Sequence, residues 1–207
     1  MRNLLIAAAL ATTAVAIPVI AQNMPTEAPG KADPALVKAG TYSIDPSHAQ
    51  IGFTVRHFGF NDYFGLFGSP KGTLTLDPAN PAKAAVSVEI PLSAIATSSE
   101  GLTTHLKKPE FFDVEKFPTA TFKSTSVAVS GTSAKIAGTL TIKGVTKPVT
   151  LDAQFVGAGT NPFNKKDTIG FSATTKLKRS DFGVSYGIPL VTDEVDLKIS
   201  VAFEKQA

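Results

Sequence analysis

The stretch from His105 to Phe122 constrains the fold most, because it is an aromatic, helix-permissive block in a sequence that otherwise alternates like β-strand. Its aromatic residues are Phe111, Phe112, Phe117 and Phe122, with lysines and carboxylates between them. Pro109 and Pro118 prevent one long helix from crossing the block. An amphipathic block of this kind among strands predicts a lid or corner on a β-barrel. A barrel with an apolar interior can hold an apolar molecule.

The rest of the chain from Thr41 onward shows a period of two, which is typical of β-strands. One predicted strand places Ile51, Phe53, Val55 and His57 on a common face. The last strand does the same with Val195, Leu197, Ile199, Val201 and Phe203. Short turns and a single helical excursion predict one all-β domain over residues 41–207. The pattern leaves a sandwich and an up-and-down barrel both open.

The N-terminal residues are predicted to be processed. Residues 4–20 are almost wholly apolar or small, Arg2 precedes them, and Ala21 follows at a position that a signal peptidase reads. The alternative is a membrane anchor, since a span needs about 18 apolar residues or more. The Ala/Thr-rich composition and Pro18 favour a cleavable signal peptide over residues 1–21, and hence a periplasmic protein. Residues 22–40, rich in Pro, Ala and Gly, predict a flexible tether.

Charge and cysteine content exclude several classes of function. The formal net charge is only +3 and the basic residues form no cluster, so no nucleic-acid partner is expected. The chain has no cysteine, which excludes disulfides, thiolate metal sites and covalent haem attachment. An exported domain of this kind must therefore rely on its hydrophobic core.

Four motifs, in order along the domain, carry a family resemblance. They are residues 42–57 (YSIDPSHAQIGFTVRH), 105–118 (HLKKPEFFDVEKFP), 138–149 (GTLTIKGVTKPV) and 179–184 (RSDFGV). Each motif is loose alone, but four in this order over essentially the whole domain make a strong match. In these residues the chain resembles the YceI-like family.

The resemblance implies a lipocalin-like antiparallel β-barrel of about eight strands with a short helical lid. It further implies a binding protein, not an enzyme, that sequesters or carries a long-chain amphiphile such as a polyisoprenoid, an isoprenoid quinone or a fatty-acid-like lipid. Dimers occur in the family, so a homodimer is an expectation, as is transient contact with a membrane. The family offers no catalytic residues to transfer and implies no cofactor.

The candidate ligand-binding residues come from the apolar strand faces and the aromatic block. They are Phe53, Val55, Phe111, Phe112, Phe122 and Phe171, with His57 on the same face as Phe53. Aromatic walls supply large apolar area, although each Phe could equally fill a solid core. His57 could bind a lipid headgroup or be a core histidine with an internal hydrogen-bond partner. The block over residues 101–117 is expected to govern entry.

No catalytic or metal site is predicted. His48 and His57 are an odd number of positions apart, which puts them on opposite faces of a regular strand, and His48 is expected to order a turn. Arg56 and Arg179 could meet an anionic headgroup. Two alternatives remain, namely a stress-induced envelope protein with a filled core and an enzyme acting on a lipid. A continuous cavity of about 300 Å³ or more would disfavour the filled core, and an all-apolar interior would disfavour the enzyme.

Overall fold

The computed structural model describes residues 25–206, which form one antiparallel sheet and a single α-helix. The predicted signal peptide lies outside the described residues. The strands are β1 (Gly40–Ile44), β2 (Gln50–His57), β3 (Asn61–Gly68), β4 (Lys71–Leu76), β5 (Ala85–Pro91), β6 (Ile95–Thr97), β7 (Thr119–Ser130), β8 (Ser133–Ile142), β9 (Val145–Thr160), β10 (Asp167–Lys178) and β11 (Glu194–Lys205). Helix α1 covers Glu100–Leu106.

The sheet closes into a barrel because the last strand pairs with the first two. The last residues of β11 pair with β1, and its first half pairs with β2. On the other side β1 pairs with β4, while β2 pairs with β3. Strands β1 and β2 are therefore two halves of one broken strand, and so are β3 and β4. Strands β5 and β6 form a third broken strand, because β5 pairs with β4 and β6 pairs with β3. Counted in this way the barrel has eight strands, which confirms the predicted lipocalin-like barrel with a short helix.

The two ends of the barrel differ. One end, here called the helical end, contains helix α1, residues 107–118, the β8–β9 turn and the β2–β3 turn. The β4–β5 turn, the β7–β8 hairpin and the β9–β10 loop lie at the other, here called the open end. The register of β8 with β9 fixes this division, since Ile142 pairs with Val145 at the helical end and Ser133 with Gln154 at the open end.

The helix is shorter and earlier than the aromatic block suggested. Ser99 caps its N-terminus by accepting a hydrogen bond from the Leu102 N–H, and it ends at Leu106. Pro109 disfavours helical geometry at Lys108, so the block continues as consecutive turns, and its last residues already belong to β7. The one α-helix of the described residues therefore lies mostly before the block, and the absence of a long helix across Pro109 agrees with the expectation from the sequence.

Part of the segment predicted as a tether packs against the barrel. Lys31 forms an antiparallel bridge with Ala158 of β9, and Pro34–Leu36 form a short 3₁₀ helix. The Lys38 ammonium lies 2.9 Å from both carboxylate oxygens of Asp167. These contacts run between backbone groups and charges far apart in sequence, so local composition gives no sign of them. Across residues 25–206, none of the helices combines the length and apolar character of a membrane span.

Glycine is required where an aromatic ring crosses a neighbouring strand. A Cβ on Gly138 would lie 2.5 Å from the Lys123 carbonyl oxygen and 2.5 Å from the Phe122 ring. We therefore expect Gly138→Ala to lower the free energy of unfolding by about 2 kcal/mol, measured by urea denaturation. The control is Gly170→Ala, whose new Cβ would meet nothing closer than 3.7 Å. Equal stabilities for the two variants would contradict the proposed contact.

Candidate functional site: the barrel cavities

A cavity of about 580 Å³ occupies the barrel interior. Its wall is built from the inward faces of the strands, including Leu74, Val88, Leu151, Phe155 and Val201. The few polar residues at its border are Gln50, Thr132, Ser133, Thr175 and Ser200, and no acidic, basic or histidine side chain of the described residues lines it. The volume lies within the range of about 300–1,000 Å³ that small-molecule sites have. The described core is therefore hollow and apolar.

The larger cavity reaches the open end of the barrel. Its border there includes the β4–β5 turn at Pro78 and Pro81 and the β7–β8 hairpin at Gly131. Val129 also lines the cavity and yet is 44% exposed, as expected of an inward-facing side chain at a mouth. Residues Pro34, Ala35 and Val37 border the same region. The expectation that residues 101–117 govern entry does not match this position of the mouth.

A second cavity, of about 150 Å³, lies below the helical end. Leu106, Phe111 and Phe112 cover it from outside, and Phe53 and Val55 form part of its wall. The two cavities share Ile51, Ile90, Leu140 and Leu197 as lining residues. They are therefore neighbours along the barrel axis, separated by one layer of apolar side chains.

The predicted ligand-binding residues divide between the two cavities. Phe122 and Phe171 line the larger one, and Phe53, Val55, Phe111 and Phe112 line the smaller one. His57 lines neither, because it ends β2 and its ring packs edge-on against Phe58 at a centroid distance of 4.3 Å. The inward parity chosen for Phe53 and Val55 agrees with the structure. Whether these residues contact a ligand stays a prediction.

Most of the cavity wall is aliphatic and was not singled out from the sequence. The larger cavity is lined by Val86, Val88, Ile136, Leu151 and Ala153 among others. These residues lie on the inward faces of β5, β8 and β9, where the period of two in the sequence already indicates an apolar face. Nothing in the sequence indicates that Pro34 and Ala35 line the cavity, since they lie in an aperiodic segment.

Neither of the two arginines expected to meet a headgroup is free to enter the cavity. Arg179 is 8% exposed, and its guanidinium donates to the carbonyl oxygens of Thr192, Val184, Tyr186 and Val191 at 2.8–2.9 Å. Burial lowers the pKa of this guanidinium, although Asp193 opposes the effect. Arg56 forms an exposed ion pair with Asp62. Arg179 therefore organises the loop that leads from residues 179–182 to β11.

Histidine and carboxylate pairs lie on the surface. The imidazole Nδ1 of His48 is 2.6 Å from the Asp45 carboxylate, and the Asp45 side chain also accepts from the Ser47 N–H, which confirms that His48 orders a turn. His105 Nε2 lies 2.9 Å from Glu110. No group of three metal-ligating side chains comes together anywhere in residues 25–206.

Acid should weaken the Arg179 loop through Asp193. Partial burial raises the pKa of Asp193, but two hydrogen bonds from Ser180 and the Arg179 charge outweigh it and leave the pKa below 3.8. A depressed pKa adds stability that is complete above the unfolded-state pKa and is lost as the pH falls through the folded-state value. We expect Asp193→Asn to lose less stability than the parent between about pH 5 and pH 3, measured by urea denaturation. Parallel pH profiles would contradict this role.

Comparisons with known proteins agree with the barrel. The model of the YceI-like domain matches residues 42–203. Protein YceI from Salmonella arizonae is 41% identical over 165 residues, which are 79% of this chain and 86% of that protein. A Campylobacter jejuni YCEI protein superposes with a TM-score of 0.62 at 30% identity, covering 69% of this chain and 85% of that one.

Two more distant structures share the fold alone. BcnA from Burkholderia cenocepacia has a TM-score of 0.69 at 24% identity, covering 77% of this chain and 98% of that chain. A polyisoprenoid binding domain from Saccharophagus degradans has a TM-score of 0.61 at 15% identity, covering 80% of this chain and 98% of that chain.

Proposed function

We propose that this chain, which belongs to the YceI-like family, binds a long-chain amphiphilic lipid inside its barrel and sequesters or carries it in the periplasm. The single observation that carries the proposal is the apolar cavity of about 580 Å³ that reaches the open end. Its strand-built walls suit a hydrocarbon chain, because burial contributes about 0.8 kcal/mol for each CH₂ group removed from water. Chain ordering opposes this gain and keeps the affinity below the simple sum.

The ligand class we favour is a polyisoprenoid or isoprenoid quinone. The fold is shared with a domain described as polyisoprenoid binding, and we carry that ligand class over as a proposal. The described lining of the larger cavity offers no charged group, and Arg179, at the smaller cavity, uses its donors on backbone carbonyl oxygens. We therefore place the tail inside the barrel and the polar head at the open end, near Thr132 and Ser133.

The proposal is one of binding without chemistry. The titratable groups with hydrogen-bonded partners, such as His48 with Asp45 and His105 with Glu110, lie outside the larger cavity. A hollow barrel also disfavours the alternative of a filled-core envelope protein, which needs no such cavity.

Export through a signal peptide, transient membrane contact and a homodimer belong to the same proposal. N-terminal sequencing of the exported protein, vesicle flotation and light scattering test them in turn.

A titration of delipidated protein tests the binding proposal. The ligands are geranylgeraniol and geranylgeranyl pyrophosphate, which share one tail and differ in the head, and native mass spectrometry counts the bound molecules. We expect one molecule of each per chain, with similar affinities because the tail supplies the binding energy. Failure of both ligands to bind would refute the proposal. Binding of the pyrophosphate alone would refute the tail-dominated mode.

A further inference from the structure

We infer that residues 29–38, here called the strap, form a wall of the lipid site across the barrel mouth and slow the escape of the bound chain. This inference rests on the proposed lipid binding and adds a binding element to it. The strap precedes residues 42–203, over which the chain matches the family domain, so it lies outside the matched region. Three of its residues, Pro34, Ala35 and Val37, line the larger cavity.

The path of the strap takes it over the mouth. Near its start the strap pairs with β9 through two backbone hydrogen bonds of 2.9 Å. The Lys31 N–H donates to the Ala158 carbonyl oxygen, and the Ala158 N–H donates to the Lys31 carbonyl oxygen. The strap ends just before Gly40, where β1 starts. Strands β10 and β11 lie between β9 and β1 in the closed sheet, so the strap spans the barrel end instead of following the wall. The turn at Pro78 and Pro81 borders the same cavity.

Two glycines on β9 make the first attachment fit. A Cβ added to Gly159 would lie 2.3 Å from the carbonyl oxygen of Pro29. A Cβ added to Gly157 would lie 3.1 Å from the carbonyl oxygen of Lys31. Glycine inside a strand commonly marks a place where another backbone approaches closely. The pair flanking Ala158 is therefore explained by the strap. Any side chain at position 159 would displace residues 29–31.

A second attachment holds the other end of the strap. The Lys38 ammonium contacts both carboxylate oxygens of Asp167, the first residue of β10. The Lys38 carbonyl oxygen accepts a hydrogen bond of 2.6 Å from the hydroxyl of Tyr42, a fully buried side chain. Val37 packs on the buried cluster around Tyr42 and Ile44. The strap is thus anchored on both sides of its cavity-lining residues.

The test compares a displaced strap with a matched control. The displaced form is the double variant Gly159→Ala/Lys38→Gln, which disrupts the attachment to β9 and removes the Lys38–Asp167 ion pair while keeping every strand residue that lines the cavity. The control is Gly170→Ala on β10, in register with Gly157, where a Cβ has ordinary contacts of 3.7 Å. Stopped-flow fluorescence measures the dissociation of cis-parinaric acid, and hydrogen exchange at the Ala158 amide reports whether the strap has moved.

We expect the Ala158 amide to exchange faster in the double variant and the probe to dissociate about tenfold faster, with the association rate changed less. The control should match the parent in both measurements. Faster exchange with unchanged dissociation would overturn the inference, because a displaced strap would then not hold the ligand. Unchanged exchange would overturn it as well, because the backbone bridge to β9 would not be what holds the strap. If the parent fails to bind the probe at all, the proposed function itself fails.

Discussion

Replacing Ala173 with tryptophan should lower the affinity for geranylgeraniol by about a hundredfold or more. Ala173 of β10 pairs with Ala153 of β9, and both side chains face the larger cavity. An indole at this position would occupy the space that the proposed hydrocarbon chain needs. Because it enters an existing void, the free energy of unfolding should change by less than about 1.5 kcal/mol.

The neighbouring position supplies the control for this variant. Thr174 is exposed and faces outward, so Thr174→Trp adds the same group to the outside of the same strand. It should bind geranylgeraniol like the parent, measured by native mass spectrometry, and Ala153→Phe should repeat the loss if Ala173→Trp folds poorly. Full binding by both cavity variants would contradict the interior location of the ligand.

Arg179→Ala should be strongly destabilising, with a loss of about 3 kcal/mol or more in the free energy of unfolding. The guanidinium satisfies four carbonyl oxygens of residues 184–192, and alanine would leave the buried ones without donors. Arg179→Lys should rescue only partly, because an ammonium cannot reproduce the planar fork of donors. Urea denaturation measures both variants.

Arg56→Ala is the matched control, since the Arg56 side chain is exposed and pairs with the exposed Asp62. Exposed ion pairs contribute little, so this variant should stay within about 0.5 kcal/mol of the parent. Similar losses for Arg56→Ala and Arg179→Ala would contradict the organising role of Arg179.

The strands were predictable because their signal is local. Alternation through Val195, Leu197, Ile199, Val201 and Phe203 predicted an inward face, and four of these five residues line the larger cavity. The Gly131-Thr132 turn is a local signal of the same kind, since β7 ends at Ser130 and β8 begins at Ser133. In both cases the side-chain period and the turn residues lie within a few positions of one another.

Other features depend on contacts that local sequence does not encode. A filled barrel and a hollow one need the same alternating apolar faces, so the cavity volume could not be inferred from them. The strap has the composition of a linker. The contacts that hold it, such as the ion pair between Lys38 and Asp167, join residues far apart in the chain. The aromatic block was placed correctly at a barrel end, but the position of the mouth depends on how all eight strands close.

The central claim is that the apolar interior holds one long-chain lipid, and the lipid that accompanies the natively purified protein tests it most directly. The protein would be isolated without detergent from the cells that make it, examined by native mass spectrometry, and extracted to identify what is bound. The account predicts close to one long-chain amphiphile, of a single class, per chain. Protein that is empty, and that also refuses added geranylgeraniol, would contradict it.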